Sequence, residues 1–174
     1  MEEFDLKKAI REIPDFPKKG ILFYDITTLL QDAKAFQRTI DILGNRYIGN
    51  DIDRILAIDA RGFIIGSALA YKLGKGIVLV RKKGKLPYRT VRASYKLEYG
   101  VDEIEIHRDA IKRGDRVLIV DDLLATGGTA SAVIQLVRKA GGKIVECAFV
   151  IELLGLKGRD RIKPYPAFSL IQYR

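Results

Sequence analysis

A chain of 174 residues, 48% hydrophobic and 30% charged, is long enough to bury a core and polar enough to be a soluble globular protein. No apolar run approaches a membrane span, the charged start Met-Glu-Glu-Phe-Asp-Leu-Lys-Lys lacks a signal core, and the single Cys147 excludes an internal disulfide, so a cytoplasmic protein with no membrane partner is expected. The formal charge of +9 comes largely from seven basic residues between Arg81 and Lys96, without which it falls to +2; charge so concentrated suits a small polyanion better than a nucleic-acid groove.

In chain order, Phe4–Arg11 reads as a short amphipathic helix, ended by Ile-Pro-Asp-Phe-Pro at 13–17, because proline disfavours helix at the residue before it. Ile21–Tyr24 is a short apolar run, followed by the capping residues Asp25 to Thr28. Ala33–Tyr47 reads as a helix from Phe36, Ile40, Leu43 and Tyr47. Arg54–Ile58 is a strand, then Asp59-Ala60-Arg61-Gly62-Phe63 turns into a helix reaching about Leu73. Gly76–Arg81 is a strand. Lys82–Lys96 carries glycine, proline and charge and reads as a long loop, which in a compact domain is functional or disordered. Val101–His107 alternates like a half-buried strand. His107, the only histidine, is assigned no role. Lys143–Glu152 is a largely apolar strand holding Cys147, read as a small buried thiol. Leu153–Lys163 is a charged connection, and Phe168–Tyr173 a final edge strand.

The informative stretch is Val117–Thr129. Val117 to Val120 form a buried strand that Asp121 and Asp122 close. Ala125, Thr126, Gly127, Gly128 and Thr129 make a small, hydroxyl-rich turn, and Val133, Ile134, Leu136 and Val137 mark the helix after it. Such a turn presents free N–H groups at a positive helix terminus, where an anion is favoured. Two carboxylates beside it suit a ligand that carries both a phosphate and a diol. Neither the Gly-Lys-Ser/Thr of a P-loop nor a Gly-x-Gly-x-x-Gly is present.

Val-Asp-Asp-Leu-Leu-Ala-Thr-Gly-Gly-Thr resembles the phosphoribosyl-pyrophosphate motif of type I phosphoribosyltransferases, and the adenine phosphoribosyltransferases most. Ile-Pro-Asp-Phe-Pro with Gly-Ile-Leu-Phe-Tyr-Asp-Ile resembles that family's N-terminal hood. The resemblance implies that Phe23 and Tyr24 lie near the base, although Tyr24 stands where the family pattern has Arg, losing a charge and several donors. Asp59 and Arg61 match the pyrophosphate loop, in which the family holds a cis peptide, expected at Asp59–Ala60. Arg-Lys-Lys-Gly-Lys-Leu-Pro resembles the basic strand end that leads into a mobile lid, so Lys82 and Lys85 would meet the diphosphate. Leu-Glu-Tyr-Gly resembles the lid end, which gives Glu98 the role of general acid/base toward the purine and makes Tyr99 its aromatic neighbour. Gly158-Arg159 resembles the C-terminal segment.

The alternation of strands and helices from 33 to 152 predicts a three-layer α/β fold with a central, mostly parallel sheet and the ligand beyond its carboxyl edge. The resemblance implies one type I phosphoribosyltransferase domain over 1–174, with a hood at 1–32 and a lid region at 82–100. It also implies phosphoribosyl transfer from phosphoribosyl pyrophosphate to adenine, giving AMP in purine salvage. Mg2+ would be carried by the substrate near Asp121 and Asp122, with no direct protein cage. A homodimer without nucleic acid is expected. Transfer to guanine, xanthine or orotate stays open, as does a non-catalytic regulator that binds the same donor.

Overall fold

In the computed structural model, which describes residues 5–96 and 100–174, contacts divide the chain into two units, Met1–Arg46 and Tyr47–Arg174. The boundary falls within the long helix that ends at Tyr47. The N-terminal unit holds a β-hairpin, β1 (Arg11–Pro14) against β2 (Leu22–Asp25), then α1 (Thr27–Gln31) and most of α2 (Ala33–Tyr47). Asp32 caps α2, its Oδ1 accepting from the N–H groups of Lys34 and Ala35, both at 2.9 Å. The N-terminal helix expected over Phe4–Arg11 is corrected: only a 3-10 turn, Leu6–Ala9, forms. From Arg11 the chain pairs with β2, and this pairing outweighs the weak local helical pattern.

The second unit is built on a seven-stranded sheet. Its strands are β3 (Arg54–Ile58), β4 (Gly76–Lys82), β5 (Thr90–Lys96), β6 (Val101–His107), β7 (Arg116–Leu124), β8 (Lys143–Leu153) and β9 (Ala167–Tyr173), in the spatial order β5-β6-β4-β3-β7-β8-β9. The ladder β4-β3-β7-β8-β9 is parallel, and β5 and β6 add an antiparallel edge. The sheet is therefore mostly parallel, as the alternating pattern predicts. Val117 to Val120 are fully buried, as a central strand covered on both faces requires.

Helix α3 (Arg61–Leu73) buries Gly62, Ile65, Gly66, Leu69 and Ala70, one face at three- and four-residue spacing. Its small residues allow close approach: a Cβ at Gly66 would lie 2.6 Å from the Ala57 Cβ of β3. Helix α4 (Gly128–Lys139) buries Val133, Ile134, Leu136 and Val137, and α5 (Gly158–Ile162) is a short turn before β9.

Three further expectations change. Residues 82–96 are not one long loop, because Thr90–Lys96 forms β5, with Ala93 buried against the core. Strand β7 does not stop at Val120; its ladder with β8 runs on through Asp121, Leu123 and Leu124. The connection 153–163 contains a 3-10 turn, Leu154–Leu156, and then α5.

Candidate active site

Because β3, β4 and β7 run parallel, their carboxyl ends share one edge of the sheet. A cavity of about 470 Å³ opens there, lined by Ile58 to Arg61, Tyr95 and the continuous run Asp121 to Ala130. Asp59, Arg61, Asp121, Asp122, Ala125, Thr126, Gly127, Gly128 and Thr129 are thus gathered around one space. Lys82 and Lys85 are not among its lining residues. Phe23 and Tyr24 lie in β2 of the N-terminal unit, where the Phe23 ring packs edge-on against Phe16 at 5.1 Å. Burial, and secondarily the Glu12 carboxylate, raise the Tyr24 phenol above its ordinary value. Glu98 and Tyr99 fall outside the described residues.

The turn after β7 has the geometry its composition predicts. Gly127 takes φ +78°, a left-handed conformation that side chains resist, and its missing Cβ leaves room for the Gly158 carbonyl at the start of α5. The first helical bond runs from Ser131 N–H to the Gly127 carbonyl at 2.9 Å. The N–H groups of Gly128, Thr129 and Ala130 therefore precede the helical ladder and have no acceptor in it. Tyr95, which the sequence reading missed, packs its ring beside Gly128, and its hydroxyl interacts with Thr129 and lies 3.2 Å from Asp102 Oδ2. The packing of β5 against α4, more than thirty residues on in the sequence, brings Tyr95 there.

The acidic pair sits inside the sheet edge rather than beyond it. Asp122 is buried, and its Oδ2 accepts from Arg61 Nε at 2.5 Å. Asp121 Oδ1 accepts from the Asp122 N–H at 2.9 Å. Burial, and then the neighbouring Asp122 carboxylate, push the Asp121 carboxyl well above its ordinary range, with the Arg61 charge opposing. The Asp122 N–H and the Arg61 charge only partly offset these effects. The Asp59–Ala60 peptide is cis, as the resemblance implies, and the Asp59 carboxylate faces Arg81 Nε at 3.3 Å.

The basic stretch differs from its sequence appearance. Arg81 meets Asp59, Lys82 meets Asp102 at 3.1 Å, Lys83 meets Glu103, and Arg92 meets Glu105 at 3.0 Å. Strand β6 supplies three of these acids, and a local count of charge misses them. The Lys85 ammonium has no acidic partner among the described residues. Cys147 is a buried thiol, which burial and the Glu146 carboxylate push up to about 12.

The Phosphoribosyl transferase domain matches residues 26–173. The chain is 62% identical over 169 residues to an adenine phosphoribosyltransferase of Syntrophotalea carbinolica, covering 97% of this chain and 99% of that one. It is similar to the crystal structure of adenine phosphoribosyltransferase from Thermoanaerobacter pseudethanolicus, with a TM-score of 0.93 and 53% identity over 97% of this chain and 98% of that one. It is also similar to the Saccharomyces cerevisiae adenine phosphoribosyltransferase complexed with an imino-altritol bisphosphate and adenine, with a TM-score of 0.90 and 43% identity over 95% and 96% of the two chains. Fold, cavity and relatives agree, and the chain belongs to the phosphoribosyl transferase family and, within it, to the adenine phosphoribosyltransferases.

Proposed function

We propose that the chain transfers the 5-phosphoribosyl group of phosphoribosyl pyrophosphate to adenine, giving AMP and pyrophosphate in purine salvage. The observation that carries this reading is the continuous lining Asp121 to Ala130, in which two carboxylates adjoin a cluster of neutral N–H and O–H donors. Such a wall suits a sugar phosphate: the turn Ala125–Thr129 takes the 5′-phosphate, and Asp121 and Asp122 accept from the ribose hydroxyls.

The base nitrogen attacks the anomeric carbon as the bond to pyrophosphate breaks. Positive charge develops on the ribose and negative charge on the leaving group. Arg61 binds that departing charge, exchanging its Asp122 contact for phosphate oxygens, as do Lys82, the last residue of β4, and Lys85, in the loop to β5. Asp59 holds Arg81 beside the same group. Recognition of the base is assigned to Phe23, Tyr24 and Tyr99, and the proton transfer at the purine to Glu98. The region 82–100 acts as the lid that excludes water from the donor.

The hard oxygen donors of Asp121 and Asp122 suit Mg2+, and among the described residues no group of three or more His, Cys, Asp or Glu forms a closed cage. In this proposal the cation would be held mainly by substrate oxygens and water, with the two aspartates beside it. When bound, it supplies charge neutralisation for the diphosphate.

A homodimer and a cytoplasmic setting belong to the same proposal. Ile77 and Leu79 alternate on one face of β4 and are 36% and 40% exposed, while Ile64 of α3 is 45% exposed. A second copy would cover this apolar surface. Among the described residues no helix is long and apolar enough to cross a membrane. The test supplies the protein with donor, Mg2+ and a panel of adenine, guanine, xanthine, hypoxanthine and orotate. AMP as the dominant product supports the reading. Another nucleotide would assign Tyr24 to a different base, and no nucleotide would overturn the transfer itself.

A further inference from the structure

Beneath the loop from β4 to β5 lies a carboxylate that none of the roles above uses. Glu105 of β6 has 0% exposure. An ionised group so placed survives only if its oxygens are occupied. Its Oε1 accepts from the backbone N–H groups of Gly84 at 2.9 Å and Leu86 at 3.2 Å. Its Oε2 accepts from Arg92 Nε at 3.0 Å, and the Thr90 hydroxyl adds a further bond. The same loop is also held by Arg81, the residue paired with Glu105 across β4 and β6: its Nη1 donates to the Lys85 carbonyl at 3.3 Å and its Nε faces Asp59. Gly84 and Leu86 are thus tied down from below and Lys85, between them, from Arg81.

Packing cannot supply this order. Residues 82–85 and 87–89 are exposed, and Gly84 takes φ +81° with open space around it. A polar, glycine-bearing loop of that kind samples many shapes unless hydrogen bonds choose one. Its two amides converge on one oxygen atom, an arrangement that requires an acceptor at that height above β6.

We propose that Glu105 is a positioning residue for the leaving-group subsite: its buried carboxylate sets the course of residues 84–86 and so aims Lys85 at the departing pyrophosphate. The proposal deepens, and rests on, the reading in which Lys82 and Lys85 receive that group. It separates reach from charge. Glu105→Gln keeps an oxygen for Gly84 and Leu86 and gives up the pair with the half-exposed Arg92. Glu105→Asp keeps the charge and withdraws both oxygens by one methylene.

The test uses the full chain of both variants, with backbone amide exchange at Gly84 and Leu86 and calorimetric binding of inorganic pyrophosphate and of ribose 5-phosphate. In Glu105→Asp both amides should exchange faster and pyrophosphate should bind about tenfold more weakly, with ribose 5-phosphate within about twofold. Glu105→Gln should stay near wild type in all three readings. Should the aspartate variant not fold, Glu105→Leu removes the same reach without a buried charge. Unchanged amide exchange would overturn the anchor. Faster exchange with unchanged pyrophosphate binding, or equal loss of both ligands, would overturn the positioning role. A wild-type chain that ignores pyrophosphate would overturn the underlying reading, and the amide result would still judge the anchor.

Discussion

Arg61 Nε stands 2.5 Å from Asp122 Oδ2, joining the first turn of α3 to the carboxyl end of β7. Each side chain thereby neutralises the partner it would otherwise lack before ligand arrives. The Arg61 side chain is 41% exposed, so the pair adds less than about 1 kcal/mol to stability. Arg61→Met should therefore leave the melting temperature within a few degrees and lower kcat/KM about a hundredfold or more. Comparing a thermal melt with steady-state kinetics checks this. Activity and stability falling together would make Arg61 a structural residue.

Asp121 carries a raised carboxyl pKa, caused first by burial and then by Asp122. The folded state thus holds its proton more tightly than the unfolded chain, whose value is about 3.9. By linkage this group's contribution is fully present below that value and is lost as pH rises through the folded pKa. Asp121→Asn, which keeps the Oδ1 acceptor for Asp122 N–H, should melt higher than wild type at pH 7, with the difference shrinking toward pH 4. Together with Asp122→Asn it should cut turnover about a hundredfold or more in a folded protein. A gain in stability that does not change with pH would contradict the burial argument.

Gly62 and Gly66 separate fold from function on one helix. A Cβ at Gly62 would lie 2.8 Å from Asp121 Oδ1 and 3.1 Å from the Val120 carbonyl. A Cβ at Gly66 would lie 2.6 Å from the Ala57 Cβ, in the middle of the sheet. Both alanine variants should lose about 1–3 kcal/mol. Only Gly62→Ala should also reduce kcat/KM of the folded fraction, because it displaces an aspartate. Denaturant melts and active-site-normalised rates read the two effects separately.

Much of this was legible from local pattern. Ala33–Tyr47, Arg54–Ile58 and Arg61–Leu73 carry clear periodicities, and their expected bounds match the structure. Strand β5 was hidden because Arg92 and Lys96 read as loop; the buried Glu105 that accepts Arg92 lies thirteen residues on and cannot be seen locally. Asp121 and Asp122 were found by motif, yet placed after the strand, because two acids look like an end. The ladder continues beneath them, since Leu123 and Leu124 still pair with Ile151 and Glu152. Tyr95 had no local signal at all.

Glu152 is 2% exposed and meets Arg159 with two bonds, from Nε at 2.6 Å and Nη2 at 2.7 Å. The Arg159 bonds, against the opposing effect of burial and with help from Ser169 and Gln172, hold its carboxyl below the ordinary value. That contribution is present above the unfolded value of about 4.3 and is lost as pH falls through the folded one. Arg159→Met should cost about 2 kcal/mol at pH 7, reduced from the fully buried case by the partial exposure of Arg159, and clearly less near pH 3. Urea melts at the two pH values check it; an equal loss at both would exclude the ion pair as the cause.

In the proposed function one wall, Asp121 to Thr129, grips both ends of a ribose phosphate. The most direct measurement is a crystal structure with AMP bound. The 5′-phosphate should lie within hydrogen-bond distance of the Gly128 and Thr129 amides, with both ribose hydroxyls on the Asp121 and Asp122 carboxylates. AMP bound with its phosphate away from that turn, or with its hydroxyls on other residues, would contradict it.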